Sequence, residues 1–438
     1  MTVPARARAP RRPGRHWLAV AATMFGVGWG ANQFASLIVA YHQDRGISVS
    51  TDEALFGIYA LGLVPALLLG GPASDRWGRG RVVRPAAVVS VVATAVLLAG
   101  SHSVPMLFVG RFLAGAVSGA VFAAGTAWVK ELSVPPFDPG AGEQAGARRA
   151  AIALSLGFGL GPLVAGALAQ WFPAPLVLPY LPHLVVMATV LPFLWRAPET
   201  VAASAGGGPG LLGRLRVPAA RHPHFVTVVV PVAPWVFAAA SVSFAVLPTV
   251  LGDRTRGYGI AFAGLVAGIT LGVGVAVQPL ARRIDRSDDA RGAAVGMVAV
   301  VAGMALAALA AHLGSPPLVL ATAAVLGAGY GFCLVAGLLE VQRLAGPDDL
   351  AGLTAVFYAL TYVGFAVPVA LAELHHVAAY PTLLLVLAGL AAVCLGVVAD
   401  RARRHEPGPA TRDAAAYPVG SESGTGSETR LDQSGFEP

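Results

Sequence analysis

The chain alternates long apolar runs with short polar breaks. Crossing the hydrocarbon core as a helix takes about 20 apolar residues. Twelve stretches meet that length: roughly residues 17–41, 54–72, 82–101, 104–130, 148–171, 175–195, 225–250, 258–281, 292–312, 316–340, 350–373 and 378–399. The pattern predicts an all-α integral membrane protein of twelve transmembrane helices. The first run follows a basic segment, "ARARAPRRPGRH", but it is too long for a signal-peptide core and lacks a cleavage pattern, so it reads as a retained helix.

The breaks carry the orientation signal. With the N-terminus in the cytoplasm and the spans alternating, cytoplasmic segments hold 26 Lys and Arg residues against three outside (Arg45, Arg254 and Arg256), with Arg111 left inside a span. That bias follows the positive-inside rule and predicts a multi-pass protein of the cytoplasmic (inner) membrane with both termini in the cytoplasm. The longest break, 196–224, is rich in Gly, Pro and Ala and has the composition of a linker. It predicts a basic segment (1–16), two six-helix bundles (17–195 and 225–399) around a central cavity, and a polar, disordered tail (400–438). A weak repeat supports the halving. Pro72, Arg76 and Arg79 after the second span recur at the same spacing as Pro279, Arg283 and Arg286, with Arg282 in the place of Asp75. Repeated halves that rock around a central site are characteristic of secondary transporters.

Composition narrows the class further. Hydrophobic residues make up 56 % of the chain and charged ones 12 %, about half the charged share of a soluble domain. The net charge of +7 lies in short clusters between apolar runs, which argues against a nucleic-acid partner. Cys333 and Cys394 both lie in apolar runs, and the pair His375 and His376 has no third ligand nearby in sequence, so no metal site is expected. A Walker A loop needs Gly-Lys-Ser/Thr; the single lysine, Lys130, stands between Val129 and Glu131, which excludes ATP by that motif. HExxH and paired midspan acids are missing, which argues against a membrane-embedded enzyme.

Between spans two and three lies "GPASDRWGRGR", a knot of charge in an oily chain. Gly71, Asp75, Arg76, Gly78 and Arg79 occupy the positions of the signature loop of the major facilitator superfamily, and the chain resembles that family, in particular its twelve-span drug/proton antiporters. Gly80 departs from the pattern where a second basic residue is usual. The resemblance implies a gating loop that stabilises the outward-open form by bridging the halves, through contacts of about 1–2 kcal/mol each. The plainer reading is a tight turn with topology-setting charge.

Two further matches follow. Arg111, in "FVGRFLAGAVSGA", fits a family Arg-Gly pattern in span four. A charge there costs at least about 2.5 kcal/mol on insertion scales, and the resemblance implies proton or substrate handling; the alternative is that Arg111 snorkels to the external interface. In span five, "GFGLGPLVAG" matches the antiporter-type motif through Gly157, Gly161, Pro162, Ala165 and Gly166. Such a face permits close helix contact, and in the family it accompanies export.

Coupling and substrate are less directly written. The expected drive is an ion gradient carried by protons, which calls for a carboxylate alternately buried and exposed. No Asp or Glu sits at the middle of a span; Glu53 and Glu340, near span ends, are the candidates, while Asp52 and Glu53 also stand where helix N-caps belong. Candidate cavity residues are Trp29, Asn32, Gln33, Tyr59, Thr126, Tyr330, Tyr358 and Tyr362. The amides are equally suited to interhelical hydrogen bonds of about 0.6 kcal/mol. This lining suits a neutral or weakly cationic amphiphile. The expected function is proton-coupled export of small amphipathic compounds by a monomer in contact with membrane lipids, needing no cofactor beyond the proton gradient. The alternatives are import of a small metabolite and, more remotely, a transporter-like sensor.

Overall fold

The computed structural model describes residues 15–142, 144–201, 218–285, 290–345 and 350–404. The expected basic segment up to residue 14, most of the linker (202–217) and the tail beyond 404 lie outside the described residues. What is described is helical, without strands.

The first six spans are built from α1 (His16–Asn32), α2 (Phe34–Arg45), α3 (Val49–Trp77), α4 (Arg79–Ala99), α5 (Val104–Glu131), α6 (Ala145–Trp171) and α7 (Leu181–Trp195). The last six comprise α8 (Val230–Ser241) with π-helical turns at Phe225–Val229 and Val242–Val246, α9 (Leu247–Leu251), α10 (Gly259–Ala276), α11 (Gln278–Ile284), α12 (Arg291–Leu313), α13 (Pro316–Leu344), α14 (Leu350–Val363), α15 (Ala366–Leu374) and α16 (Tyr380–Arg404). Among the described residues, eleven helical stretches are long and apolar enough to cross a membrane. The twelfth span is α1 and α2 in series.

That first span is interrupted at Gln33, which the sequence pattern did not foresee. The cause is local competition for carbonyls. The Ala31 carbonyl accepts from Arg111 Nη1 at 3.0 Å, and the Gln33 carbonyl accepts from Ser36 Oγ at 3.2 Å. The turn between α2 and α3 shows ordinary capping. Ser48 caps α3 by accepting from the Thr51 N–H, and Gly46 (φ +61°) closes α2. Ser48, and not Asp52 or Glu53, is therefore the α3 N-cap.

The helices share two ends. One, here the basic end, carries the start of α1 and the α3–α4 junction; the opposite end carries the α2–α3 and α9–α10 junctions. The helices of each half pack chiefly on one another. Between halves, α6 and α2 lie against α10, and α3 lies against α14 and α15.

Candidate functional site

At the basic end the charged knot is helix, not loop. α3 runs on to Trp77, so Gly71, Asp75 and Arg76 ride its last two turns, and the reversal into α4 is made by Gly78 alone. Gly78 has φ +106°, a conformation that L side chains avoid. Arg79, nearly buried, is the hub. It pairs with Asp75 at 2.6 Å and Glu131 at 2.7 Å and donates to Ser74 Oγ at 2.6 Å. Glu199 then accepts the backbone N–H groups of Arg79 (2.7 Å) and Gly80 (2.8 Å), placing a carboxylate at the positive end of α4. The segment after α7 is held by Arg84, which donates to the Ala197 carbonyl, and by Trp128, which donates to that of Pro198. Asp75 itself is half exposed and pairs within its own half; Arg76 is exposed.

The second half carries a related cluster. Asp285, buried, accepts from the Gly292 N–H at 3.2 Å and lies 3.4 Å from Arg343. Arg343 pairs with Glu340 at 2.7 Å, and Glu340 also meets His224 Nε2 at 2.8 Å. The acid missing at Arg282 is thus supplied three positions later. Of its repeat partners, Arg286 lies outside the described residues.

Arg111 is fully buried, so it does not snorkel. Its guanidinium sits over the rings of Phe34 and Tyr59 (4.6 Å each) and Phe56 (5.3 Å), and donates to the carbonyls of Ala31 (3.0 Å) and Leu55 (3.2 Å). Cation–π contacts of this kind are worth about 2 kcal/mol when desolvated. Nη2 has no hydrogen-bond partner among the described residues.

On α6 the glycine face works as a backbone contact surface. A Cβ at Gly161 would lie 2.8 Å from the Trp29 carbonyl oxygen of α1, and Gly157 abuts Phe25 and Trp29 of α1. Farther along, Gly166 faces Gly264 and Ile260 of α10, across the halves, and a Cβ at Gly264 would lie 2.6 Å from the Pro162 carbonyl. Ala165 is fully buried. The same crossing is bridged by Gln170, whose Oε1 accepts from the N–H groups of Ile260 and Ala261 and whose Nε2 donates to the Gly257 carbonyl. The contacts with α10 lie toward the opposite end, whereas Gly157 sits midway along α6.

The cavity candidates divide. Tyr59 is buried against Leu63 and Ala31, and Tyr362 packs on that cluster from the other half. Phe237 stacks on Tyr362 and Phe365 (4.7 Å each) and reaches Tyr330 at 6.0 Å. Tyr358 lies one turn before Tyr362. Trp29 is buried beside Phe25, and Gln33 is fully buried; the Trp29 Nε1 and both Gln33 amide atoms lack hydrogen-bond partners among the described residues. Asn32 and Thr126 are partly buried, and Thr126 sits apart toward the basic end. The sequence reading passed over Phe56, Phe244 and Phe365, whose rings join the halves, and Phe237, which stacks within the second half. Phe56 meets Phe244 at 5.4 Å and Phe365 at 5.5 Å. Phenylalanines in an apolar run give no signal of their own. A separate apolar cavity of about 870 Å³ opens between α6, α10 and α13, with Arg254 and Tyr258 in its lining and none of the candidates.

Of the coupling candidates, the Glu53 side chain is outside the described residues, and Glu340 is buried but tied to His224 and Arg343.

Comparison with known proteins agrees with this architecture. The structure of a POT family transporter in complex with 5-aminolevulinic acid superposes with a TM-score of 0.73 at 13% identity, covering 90% of this chain and 97% of that one. The nucleoside transporter NupG superposes with a TM-score of 0.68 at 13% identity, covering 89% and 99%. In sequence, the multidrug resistance protein MdtL of Klebsiella pneumoniae (strain 342) is 36% identical over 80 residues, 18% of this chain, and the matched stretch spans only 20% of that relative's length. Residues 18–369 match the sequence profile of the Major Facilitator Superfamily: the chain belongs to that family and is a multi-pass secondary transporter.

Proposed function

We propose that this transporter is a proton-coupled exporter of small amphipathic compounds, drugs or secondary metabolites, working by alternating access as a monomer in the cytoplasmic membrane with its basic end inside. The observation that carries the reading is the α6 face. Gly157, Gly161 and Gly166 bring one helix into backbone contact with both α1 of its own half and α10 of the other. A face this flat lets the outer end seal without side chains to rearrange, and lets it part along one line. In that frame the structure is the form closed toward the outside, with Asp75 turned inward on Arg79 and free to re-pair when the halves rock.

The substrate class rests on two supports. The aromatic residues between the halves, with buried amides and Arg111 shielded beneath rings, favour a neutral or weakly cationic amphiphile. The partial similarity to a protein named for multidrug resistance points the same way. Proton drive rests on the buried carboxylates and on the single lysine leaving no Walker A loop.

The test is accumulation of a panel of amphipathic drugs in a pump-deficient bacterial host. Lower accumulation that a protonophore abolishes supports the reading. Unchanged accumulation at verified expression, or protonophore-insensitive uptake, contradicts it and favours import.

A further inference from the structure

The carboxylate that stands out in the structure is one the sequence reading set aside as a cap. Asp52, in the first turn of α3, is 1% exposed, and neither of its oxygens has a hydrogen-bond partner among the described residues. Its closest basic neighbour, His42 Nδ1, is 3.9 Å from Oδ2 and already engages the Ile47 carbonyl at 2.8 Å. His42 is 45% exposed at the opposite end, so water there reaches to within one side chain of Asp52.

Asp52 also occupies a mechanically sensitive position. One turn along α3 is Phe56, whose ring meets Phe244 and Phe365 of the other half. Between them, the Leu55 carbonyl receives Arg111. Beside Asp52, the hydroxyls of Tyr41 and Tyr180 are hydrogen-bonded to each other at 3.0 Å, both fully buried. An anionic carboxylate stripped of water and donors is poorly tolerated, whereas a neutral carboxyl is accepted in such a site.

We infer that Asp52 is the carboxyl group whose proton occupancy controls closure of the end of the transporter remote from the basic loop. With that end open, the carboxylate is hydrated and takes one proton from the external water by way of the His42 side. Neutralised, it can be buried, Phe56 seats against Phe244 and Phe365, and the halves close there. For net transfer the same proton leaves toward the basic end while the Asp52 end is closed, and the bare carboxylate then drives that end to reopen. This names the proton carrier within the proposed exporter and rests on that reading for its role in transport.

Other titratable or charged groups face the same region. On α2 these are Tyr41, His42, Asp44 and Arg45; Arg45 is hydrogen-bonded to His102 before α5. Tyr180 precedes α7, Arg111 lies on α5, and Tyr358 and Tyr362 lie on α14. Glu373 and His375, at the end of α15, are exposed. Glu53 neighbours Asp52 in sequence. Variants must therefore separate Asp52 from His42.

The experiment uses the full chain in lipid nanodiscs with Cys333 and Cys394 replaced and spin labels at Val177→Cys and Val377→Cys, both exposed on loops at that end, one in each half. Pulsed EPR distances are read between about pH 5 and about pH 9, where a single titrating group changes a population ratio by at most about tenfold per pH unit. The expected result is a short-distance population that gives way to a longer one as pH rises. Asp52→Asn should hold the short distance throughout, while Asp52→Glu and His42→Gln keep the response. A wild-type pH response retained in Asp52→Asn, or a wild-type distance that ignores pH, overturns the inference.

Transport in proteoliposomes separates this from the exporter reading. If transport is proton-driven and Asp52→Asn is equally proton-driven, Asp52 is not the carrier and the inference falls while the exporter stands. If transport ignores the proton gradient but the Asp52-dependent closure is present, the closure role stands and proton-coupled export falls.

Discussion

Gln170 caps a helix in the other half of the molecule. Its side-chain oxygen accepts from the backbone N–H of Ile260 at 3.0 Å, 90 residues away, and from that of Ala261 at 3.2 Å. The first turn of a helix leaves such donors unpaired, and α10 has no cap of its own from Tyr258. The closed end is thus held by a polar bridge laid over a glycine contact. Gln170→Ala should weaken this closure by about 1–2 kcal/mol, the worth of a cap. The Val177/Val377 label pair should show a larger long-distance fraction, with the fold otherwise unchanged.

Gly264→Ala tests the glycine contact directly. A Cβ there meets the Pro162 carbonyl at 2.6 Å, and backbone on both sides cannot yield cheaply. The variant should shift the label distances toward the parted form and slow transport. Gly159→Ala, where nothing lies within 4 Å, should leave the distances alone and raise Tm slightly, since Ala is favoured over Gly in a helix by up to about 1 kcal/mol.

Asp75 and Arg79 are paired, yet their removal should not be equivalent. Arg79 also holds Glu131 and Ser74, so Arg79→Ala should lower stability by about 2–3 kcal/mol, somewhat less than for a fully buried pair because Glu131 is a third exposed. Asp75 is 52% exposed, and Asp75→Asn should change Tm by the equivalent of under about 1 kcal/mol. If Asp75 bridges the halves in the other state, that same variant should reduce transport severely. Melting curves and transport rates on the two variants check both halves of this statement.

Arg111→Lys keeps the charge but not the planar fork that reaches two carbonyls beneath three rings. Transport should fall by more than about tenfold, with a stability loss of about 1.5–3 kcal/mol from the hydrogen bonds to a charged group. Arg111→Met, which removes the buried charge altogether, should melt no lower than the Lys variant. Both are measured by Tm alongside transport.

The helical architecture could be read from the sequence because membrane length and arginine placement are strong, local signals. The Gly78 turn and the glycine face of α6 were also legible, since φ > 0 and close backbone approach each demand a small residue. Other features depend on distant partners. That Asp75 would share Arg79 with Glu131 and that Glu199 would cap α4 follow from contacts 52 and 120 residues apart. The break at Gln33 requires Arg111, and the stacking of Phe237 on Tyr362 requires α8 and α14 to meet. Asp52 was misjudged for a similar reason. As an acid in a helix's first turn it resembles a surface cap, and only the packing of α2 and α3 shows that it is sealed while Ser48 does the capping.

The most direct test of the account is transport by the purified chain in proteoliposomes with an imposed pH gradient, read with a fluorescent amphipathic cation. Movement of the compound against its own gradient, opposite in direction to the protons and abolished when the pH gradient is collapsed, is the predicted result. Movement in the same direction as the protons, or movement indifferent to the pH gradient, would contradict proton-coupled export.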